Sequence, residues 1–242
     1  MNVTNPIENV AATTPKSYFR GEAPEYRLRF QNQSMRRVLL IACATALSVA
    51  LAVSIPRLAR AHNVTPPAVP ANLQVPAGNT AFLVGHAVGT QNYICLPCPN
   101  PLTPPAMCPA SGFAFALFTP QATLFNGAGK QIITHFFSPN PFENGTIRAT
   151  WEDSRDTSTV WAKVNQSSSD PAFVAQGAIP WLLLEVVGAQ EGTSGSDKLT
   201  ATTFVQRLNT VGGVAPASCN SSLDVGKEAF VPYTADYFFF EK

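Results

Sequence analysis

Short apolar runs, each ended by glycine, proline, asparagine or aspartate, are the feature that most constrains the fold of this chain. From residue 80 onward these runs recur at intervals of about 8 to 12 residues, a spacing typical of β-sandwiches and barrels. Two of them, at 202–208 and 233–240, are rich in β-branched and aromatic residues. No part of this region carries a long apolar stripe with a 3.6-residue period. The pattern therefore predicts an all-β domain.

We expect about eight to ten short strands in a single domain, built as a β-sandwich or a flattened barrel and stapled by disulfides. Gly85 and Gly89 interrupt the first run, which favours a hairpin there. Asn126 and Gly127 predict a type I′ turn, because both residue types tolerate a positive φ angle. The predicted strands are residues 80–87, 90–96, 113–118, 122–125, 131–136, 146–152, 160–164, 182–188, 200–209 and 233–240.

The composition indicates a substantial core and argues against nucleic-acid binding. Apolar residues make up 45% of the chain and charged residues only 13%, so most of the length can fold around buried apolar surface. From residue 62 onward there are eight basic and twelve acidic residues. This region has no cluster of basic residues that could neutralise phosphates, so nucleic acid is not an expected partner. Dinucleotide-binding and nucleophile-elbow motifs are also missing, and no catalytic residue is assigned.

The N-terminal part of the chain predicts export. Two arginines precede an apolar run at residues 38–55, and a small-x-small cleavage site ends at Ala61, so residues 36–61 fit a signal peptide. Residues 1–35 would then be a disordered extension or the result of a wrongly assigned start codon. The arginine pair also resembles a twin-arginine signal. An uncleaved helix at residues 38–55, which would anchor the chain in the membrane, is the alternative.

Cleavage would release an extracellular or periplasmic protein with no further membrane contact. Residues 62–76 are rich in proline and predict an extended linker, and residues 77–242 form the β domain. Four of the five cysteines lie in this exported part, and an even number in an oxidising compartment predicts two disulfides. We expect the pairs Cys98–Cys108 and Cys95–Cys219. A redox C-x-x-C motif is the alternative for the first two cysteines of the cluster.

Polar residues within the apolar strands are the candidate ligand-binding groups. They are His86, His135, Arg207, Tyr93 and Gln91. A buried polar group needs a hydrogen-bond partner, from the protein or from a ligand. The planar guanidinium of Arg207 could hold a carboxylate with two hydrogen bonds. The alternative for Arg207 is an internal ion pair with Asp236 or Asp156.

Aromatic residues and histidines suggest two further hypotheses. Aromatic side chains could line a sugar or aromatic pocket, although such residues more often belong to the core. They are Trp151, Trp161, Trp181, Tyr93, Tyr233 and Tyr237. His86 and His135 could instead bind copper or zinc, and so could His62, which would begin the mature chain with both an amine and a ring nitrogen. Apart from this metal hypothesis, no cofactor is predicted.

Several strings in the β domain are specific enough to indicate a family. They include Gly-His-Ala-Val-Gly-Thr-Gln-Asn-Tyr at 85–93 and Ile-Thr-His-Phe-Phe-Ser-Pro-Asn at 133–140, with others at 70–79, 118–125, 156–163, 178–184, 206–216 and 232–239. Together they resemble the secreted bacterial and fungal family catalogued as domain of unknown function 3455, over residues 70–241. The resemblance implies an exported β-rich domain with no settled activity.

The leading hypothesis from the sequence is a non-enzymatic exported module that binds a small molecule or a cell-envelope polymer. The missing catalytic motifs and the aromatic, weakly charged domain motivate it. The alternative is a metal-binding protein or a metal-dependent enzyme that uses His86 and His135.

Overall fold

Eight antiparallel strands close into one barrel in the computed structural model of this chain, which describes residues 64–105, 108–193 and 195–242. The strands follow one another around the wall in chain order, and the first pairs with the last. They are β1 (Thr80–Pro97), β2 (Phe113–Phe125), β3 (Gln131–Asn140), β4 (Thr146–Asp153), β5 (Thr159–Ser168), β6 (Trp181–Gln190), β7 (Phe204–Gly212) and β8 (Glu228–Glu241). The prediction of an all-β domain is confirmed. Of the two predicted architectures, a sandwich or a flattened barrel, the structure shows a barrel.

Helical structure in the described ranges includes short 3-10 turns at Ala71–Leu73, Pro141–Glu143 and Ser222–Asp224. Within these ranges, none of the helices has the length and the apolar character that a membrane crossing would need. The predicted signal peptide at 36–61, the extension at 1–35 and the alternative anchor at 38–55 lie outside the described residues.

The predicted hairpin at the start of the domain is wrong, because β1 runs without a break through both of its glycines. Gly89 allows a close approach of β2: a Cβ atom at this position would lie 2.1 Å from the Gln121 carbonyl oxygen. A Cβ at Gly85 would lie 2.8 Å from a methyl group of Leu124. A glycine inside a strand often marks such close packing rather than a turn.

Two other boundaries in the same region also differ from the prediction. The predicted strands at 113–118 and 122–125 form one strand, β2, which continues through Pro120. The register between β1 and β2 shifts at Asn92 and Tyr93, next to the proline, as a β-bulge does. The turn from β2 to β3 lies where Asn126 and Gly127 predict it, but it is longer than a type I′ turn. The positive φ angle of 71° belongs to Gly129, whose amide donates to the Asn126 carbonyl.

The wall of the barrel separates two apolar clusters. Alternate residues of β8, including Ala235 and Phe239, face the interior, where they join the inner core. The residues between them, such as Phe238 and Phe240, face outward and join a second cluster. Strands with nearly continuous apolar sequence are typical of sheets buried on both faces. These runs therefore bury both faces of one side of the wall.

The proline-rich segment at 62–76 covers this outer cluster as far as the structure describes it. Leu73 is fully buried there, and Val64, Val69 and Val75 pack beside it. The Gln206 side-chain amide donates to the Leu73 carbonyl over 2.7 Å. Residues 64–79, called the strap below, therefore pack against the outer face of the barrel wall.

Both predicted disulfides are present. Cys95 at the end of β1 pairs with Cys219 in the loop between β7 and β8, and Cys98 pairs with Cys108 in the loop between β1 and β2. The two bonds lie at the same end of the barrel: the first joins β1 to the β7–β8 loop, and the second closes the β1–β2 loop on itself. They are consistent with an oxidising compartment.

Substitution of Gly89 tests the close approach of β1 and β2. We expect Gly89→Ala to lower the free energy of unfolding by about 1 to 3 kcal/mol, because the added methyl group meets backbone atoms of β2 that cannot rotate away. Gly127→Ala is the matched control, since its Cβ would meet nothing within 4 Å, and it should change stability by less than about 1 kcal/mol. Urea denaturation followed by circular dichroism measures both. Equal effects of the two substitutions would contradict the prediction.

Candidate functional site

A cavity of about 340 Å³ occupies one half of the barrel interior, and all eight strands contribute to its lining. The other half is filled by fully buried side chains, which are Leu124, Ile133, Val160, Leu199, Val205 and Phe239. The cavity, called the lumen below, lies toward the end of the barrel that carries the two disulfides. Its lining is mostly apolar and includes Leu117, Phe137, Ile147, Val164, Leu182 and Leu184.

The lumen reaches the surface beside an interruption in the wall between β4 and β5. These strands pair only from Glu152–Thr159 to Ala149–Ala162. Beyond the last pair β4 continues on β3 alone and β5 on β6 alone. Ile147 and Val164 flank this gap and are each more than half exposed. The gap therefore has an apolar border.

Arg207 places a positive charge in the lumen. Its Nη2 and Nε atoms donate to the Pro180 carbonyl over 2.9 and 3.3 Å. Tyr237 on β8 is the cross-strand neighbour of Arg207 on β7. Among the described residues, no acidic side chain forms an ion pair with it. The predicted partner Asp236 contacts His86 and Asn209 instead, which makes the ion-pair alternative wrong.

The other alternative partner of Arg207 is also engaged elsewhere. Asp156 lies in the turn after β4, where its carboxylate accepts hydrogen bonds from the Ser158 and Lys198 backbone amides. These hydrogen bonds outweigh the effect of desolvation and hold the pKa of Asp156 at about 2. Asp156 therefore lies at the end of the barrel opposite the two disulfides, away from the lumen.

His135 is buried in the lumen wall and stays neutral. Its Nδ1 atom donates to the Thr150 carbonyl over 2.8 Å, so Nε2 carries the lone pair. The ring stacks on Trp151 at a centroid distance of 4.4 Å. Burial is the main cause that lowers the pKa of His135 to about 3; the Thr150 hydrogen bond opposes this shift, and the nearby charge of Arg207 adds a smaller lowering.

Three tyrosines add hydroxyl groups in the lumen or directly beside it. Tyr93 donates to the Gly213 carbonyl over 2.6 Å, and the hydroxyl groups of Tyr233 and Tyr237 lie 3.1 Å apart. Burial raises the pKa of all three phenols, more than the Arg207 charge lowers it. The phenols are therefore neutral at physiological pH.

Gln91 leaves a buried hydrogen-bonding group unused. Its side chain is 2% exposed and lines the lumen. Its Nε2 atom approaches the Tyr233 hydroxyl but does not reach hydrogen-bond geometry with a described residue. A buried amide donor without a partner is costly, by about 1 to 3 kcal/mol. A bound ligand or an ordered water would satisfy it.

The structure brings together four of the five predicted ligand-binding residues. His135, Arg207, Tyr93 and Gln91 all line the lumen. His86 does not: it lies on the outer face of β1, half exposed, with its Nδ1 atom 2.6 Å from Asp236. His86 and His135 therefore face opposite sides of the wall. His62 lies outside the described residues.

Of the six aromatic candidates, Trp151, Tyr93 and Tyr237 line the lumen, and Tyr233 lies directly beside it. Trp161 and Trp181 belong to other surroundings: the first donates to the Ser138 hydroxyl and the second lies in the outer cluster. Sequence reasoning missed the carbonyl groups of Pro180 and Gly213, which orient Arg207 and Tyr93. The period-two alternation of β8 could have placed Tyr237 on the inner face.

The buried neutral state of His135 makes stability sensitive to acid. The unfolded chain binds a proton at this histidine near pH 6.5 and the folded chain only near pH 3, so stability falls as the pH drops through this window. Between pH 7 and pH 4.5 we expect a loss of about 2 to 3 kcal/mol that is removed in His135→Gln. The exposed-face variant His86→Gln should keep the loss. Urea denaturation across this range measures it, and the same loss in wild type and His135→Gln would refute the prediction.

Comparison with known proteins adds the family and no function. The family model described as "Protein of unknown function (DUF3455)" matches residues 76–241, which include every strand of the barrel. No curated protein and no solved structure matches the chain. The chain belongs to the DUF3455 family.

Proposed function

We propose that this protein is exported and binds one small organic molecule, without catalysis, inside its barrel. The lumen is the observation that carries the proposal. Its volume of about 340 Å³ lies within the range of about 300 to 1,000 Å³ that is common for small-molecule sites. Closed barrels of about eight strands can hold one such ligand in their interior. Because all strands contribute to the lining, the site forms together with the fold.

The shape and chemistry of the lumen favour a small molecule over a polymer of the cell envelope. A polymer needs a groove open at both ends, whereas the opposite half of this barrel is filled by apolar side chains. Most of the lining is apolar, and a few polar groups converge on one region. This combination is typical of sites that bury an apolar body and orient it with a few hydrogen bonds.

The metal alternative gains no support from the geometry. A site shared by His86 and His135 would need both on one face of the wall, and the two residues face opposite sides. No group of three or more metal-ligating side chains was found among the residues that the structure describes. Copper or zinc binding, with or without His62, stays a prediction.

Filling the lumen should weaken ligand binding. We expect 2-naphthamide, a neutral aromatic probe, to bind wild-type protein with one site per chain, and Ala162→Trp to reduce its affinity at least about tenfold, because the indole occupies the space of the probe. Titration calorimetry measures the affinity. Ala149→Phe serves as a second, smaller blocking variant.

The matched control is Ala128→Trp, which adds the same side chain to the exposed turn between β2 and β3. This variant should bind the probe as wild type does. Circular dichroism verifies that each variant is folded. Absence of binding to wild type, or equal binding to folded Ala162→Trp, would contradict a binding site in the lumen.

Export through residues 36–61 is part of the proposal, supported by the two disulfides of the domain. The mature chain is then expected to begin at His62, immediately before the strap. N-terminal sequencing of protein recovered from the periplasm or the culture medium measures this directly. Recovery of the chain only in the cytoplasm would contradict export.

A further inference from the structure

We propose that the ligand of the lumen is a small monocarboxylate with an apolar body, and that Arg207 binds its carboxylate. This inference rests on the proposed binding function and specifies the chemical class of the ligand.

The positive charge of Arg207 has no counterion in the described protein. Its contacts are neutral groups, namely the Pro180 carbonyl and the Tyr237 hydroxyl beside it. Two of its nitrogen atoms point at one carbonyl, which leaves part of the guanidinium fork unused. Arg207 is only partly buried, so water screens part of its charge while no anion is bound. A ligand anion would compensate it.

The other cations around the lumen differ from Arg207 in this respect. Arg148 forms two hydrogen bonds with Glu143, of 2.8 and 2.9 Å, and Lys163 lies 3.3 Å from Glu185. The Arg148 hydrogen bonds hold the pKa of Glu143 at about 2, so that pair is charged on both sides. The cations at the gap are thus neutralised by the protein, while the cation inside is not.

Because Arg207 is one unpaired cation, the lumen favours a ligand with one negative charge. Away from the gap, the other polar groups of the lumen, which are His135, Gln91 and the tyrosines, are neutral. A dianion such as a phosphate monoester would bring a second charge into apolar surroundings without a partner. A carboxylate carries one charge, and its two oxygens match the planar guanidinium.

The unused donor of Gln91 supplies a second contact on the same side. Gln91 and Arg207 both line the lumen and both lie near Tyr233, and among the described residues the Gln91 amide nitrogen completes no hydrogen bond of good geometry. A carboxylate oxygen can accept hydrogen bonds from both side chains. The apolar body of the ligand would then extend toward Ile147 and Val164 at the gap.

A matched pair of probes tests the inference. 2-Naphthoate and 2-naphthamide have the same ring system and differ in charge. We expect wild-type protein to bind the carboxylate about 10- to 100-fold more tightly, as charge-assisted hydrogen bonds usually do. In Arg207→Met the two probes should bind equally, at the affinity of the amide. Arg207→Lys should be intermediate, because it keeps the charge and loses the fork.

Lys130→Met, which removes a cation from the exposed β2–β3 turn, is the control and should keep the wild-type preference. If Arg207→Met does not fold, Arg207→Gln replaces it, since its amide can still donate to Pro180. Equal binding of both probes to wild type would overturn the carboxylate inference and leave the small-molecule function standing. Failure of both probes to bind would overturn both. A carboxylate preference that survives in folded Arg207→Met or Arg207→Gln would exclude Arg207 as the anchor.

Discussion

Pairing of the first strand with the last is the interaction on which the structure depends. β1 and β8 are the longest strands, and they pair from Thr80–Glu241 to Ile94–Glu228. Without this ladder the other strands would form an open sheet with two free edges and no enclosed space. A residue of this ladder also shapes the interior: Gly85 pairs with Tyr237, and its missing side chain leaves room for Leu124 of β2. Closure of the barrel and formation of the lumen are therefore one event.

The lumen combines two properties that a protein interior does not usually tolerate together. It is lined mainly by apolar side chains, yet within the described part of the chain its arginine has no counterion and its Gln91 amide completes no hydrogen bond of good geometry. Interiors selected only for stability pair such groups or replace them with apolar residues. Their presence in one region of the lumen supports a role in binding, since sites of function are where structures depart from optimal stability.

The class of the fold was predictable from local patterns, whereas closure was not. Short apolar runs and their turn residues indicate strands, and the even number of cysteines indicates disulfides. Gly85 and Gly89 misled the assignment because a glycine that permits close packing has the same sequence signature as one that forms a turn. The difference between a sandwich and a barrel lies in registers between distant strands. His135 and Arg207 were visible as polar residues in apolar strands, but the absence of a carboxylate beside Arg207 is a property of the whole fold.

The gap between β4 and β5 has a consequence for how copies of the barrel meet. Where these strands cease to pair, each presents unbonded backbone groups of the kind that recruit another strand. Two charged side chains stand at this place, Arg148 on one strand and Lys163 on the other, each beside its own glutamate. Charges on an exposed strand edge disfavour edge-to-edge association. The opening of the lumen is thereby protected against aggregation.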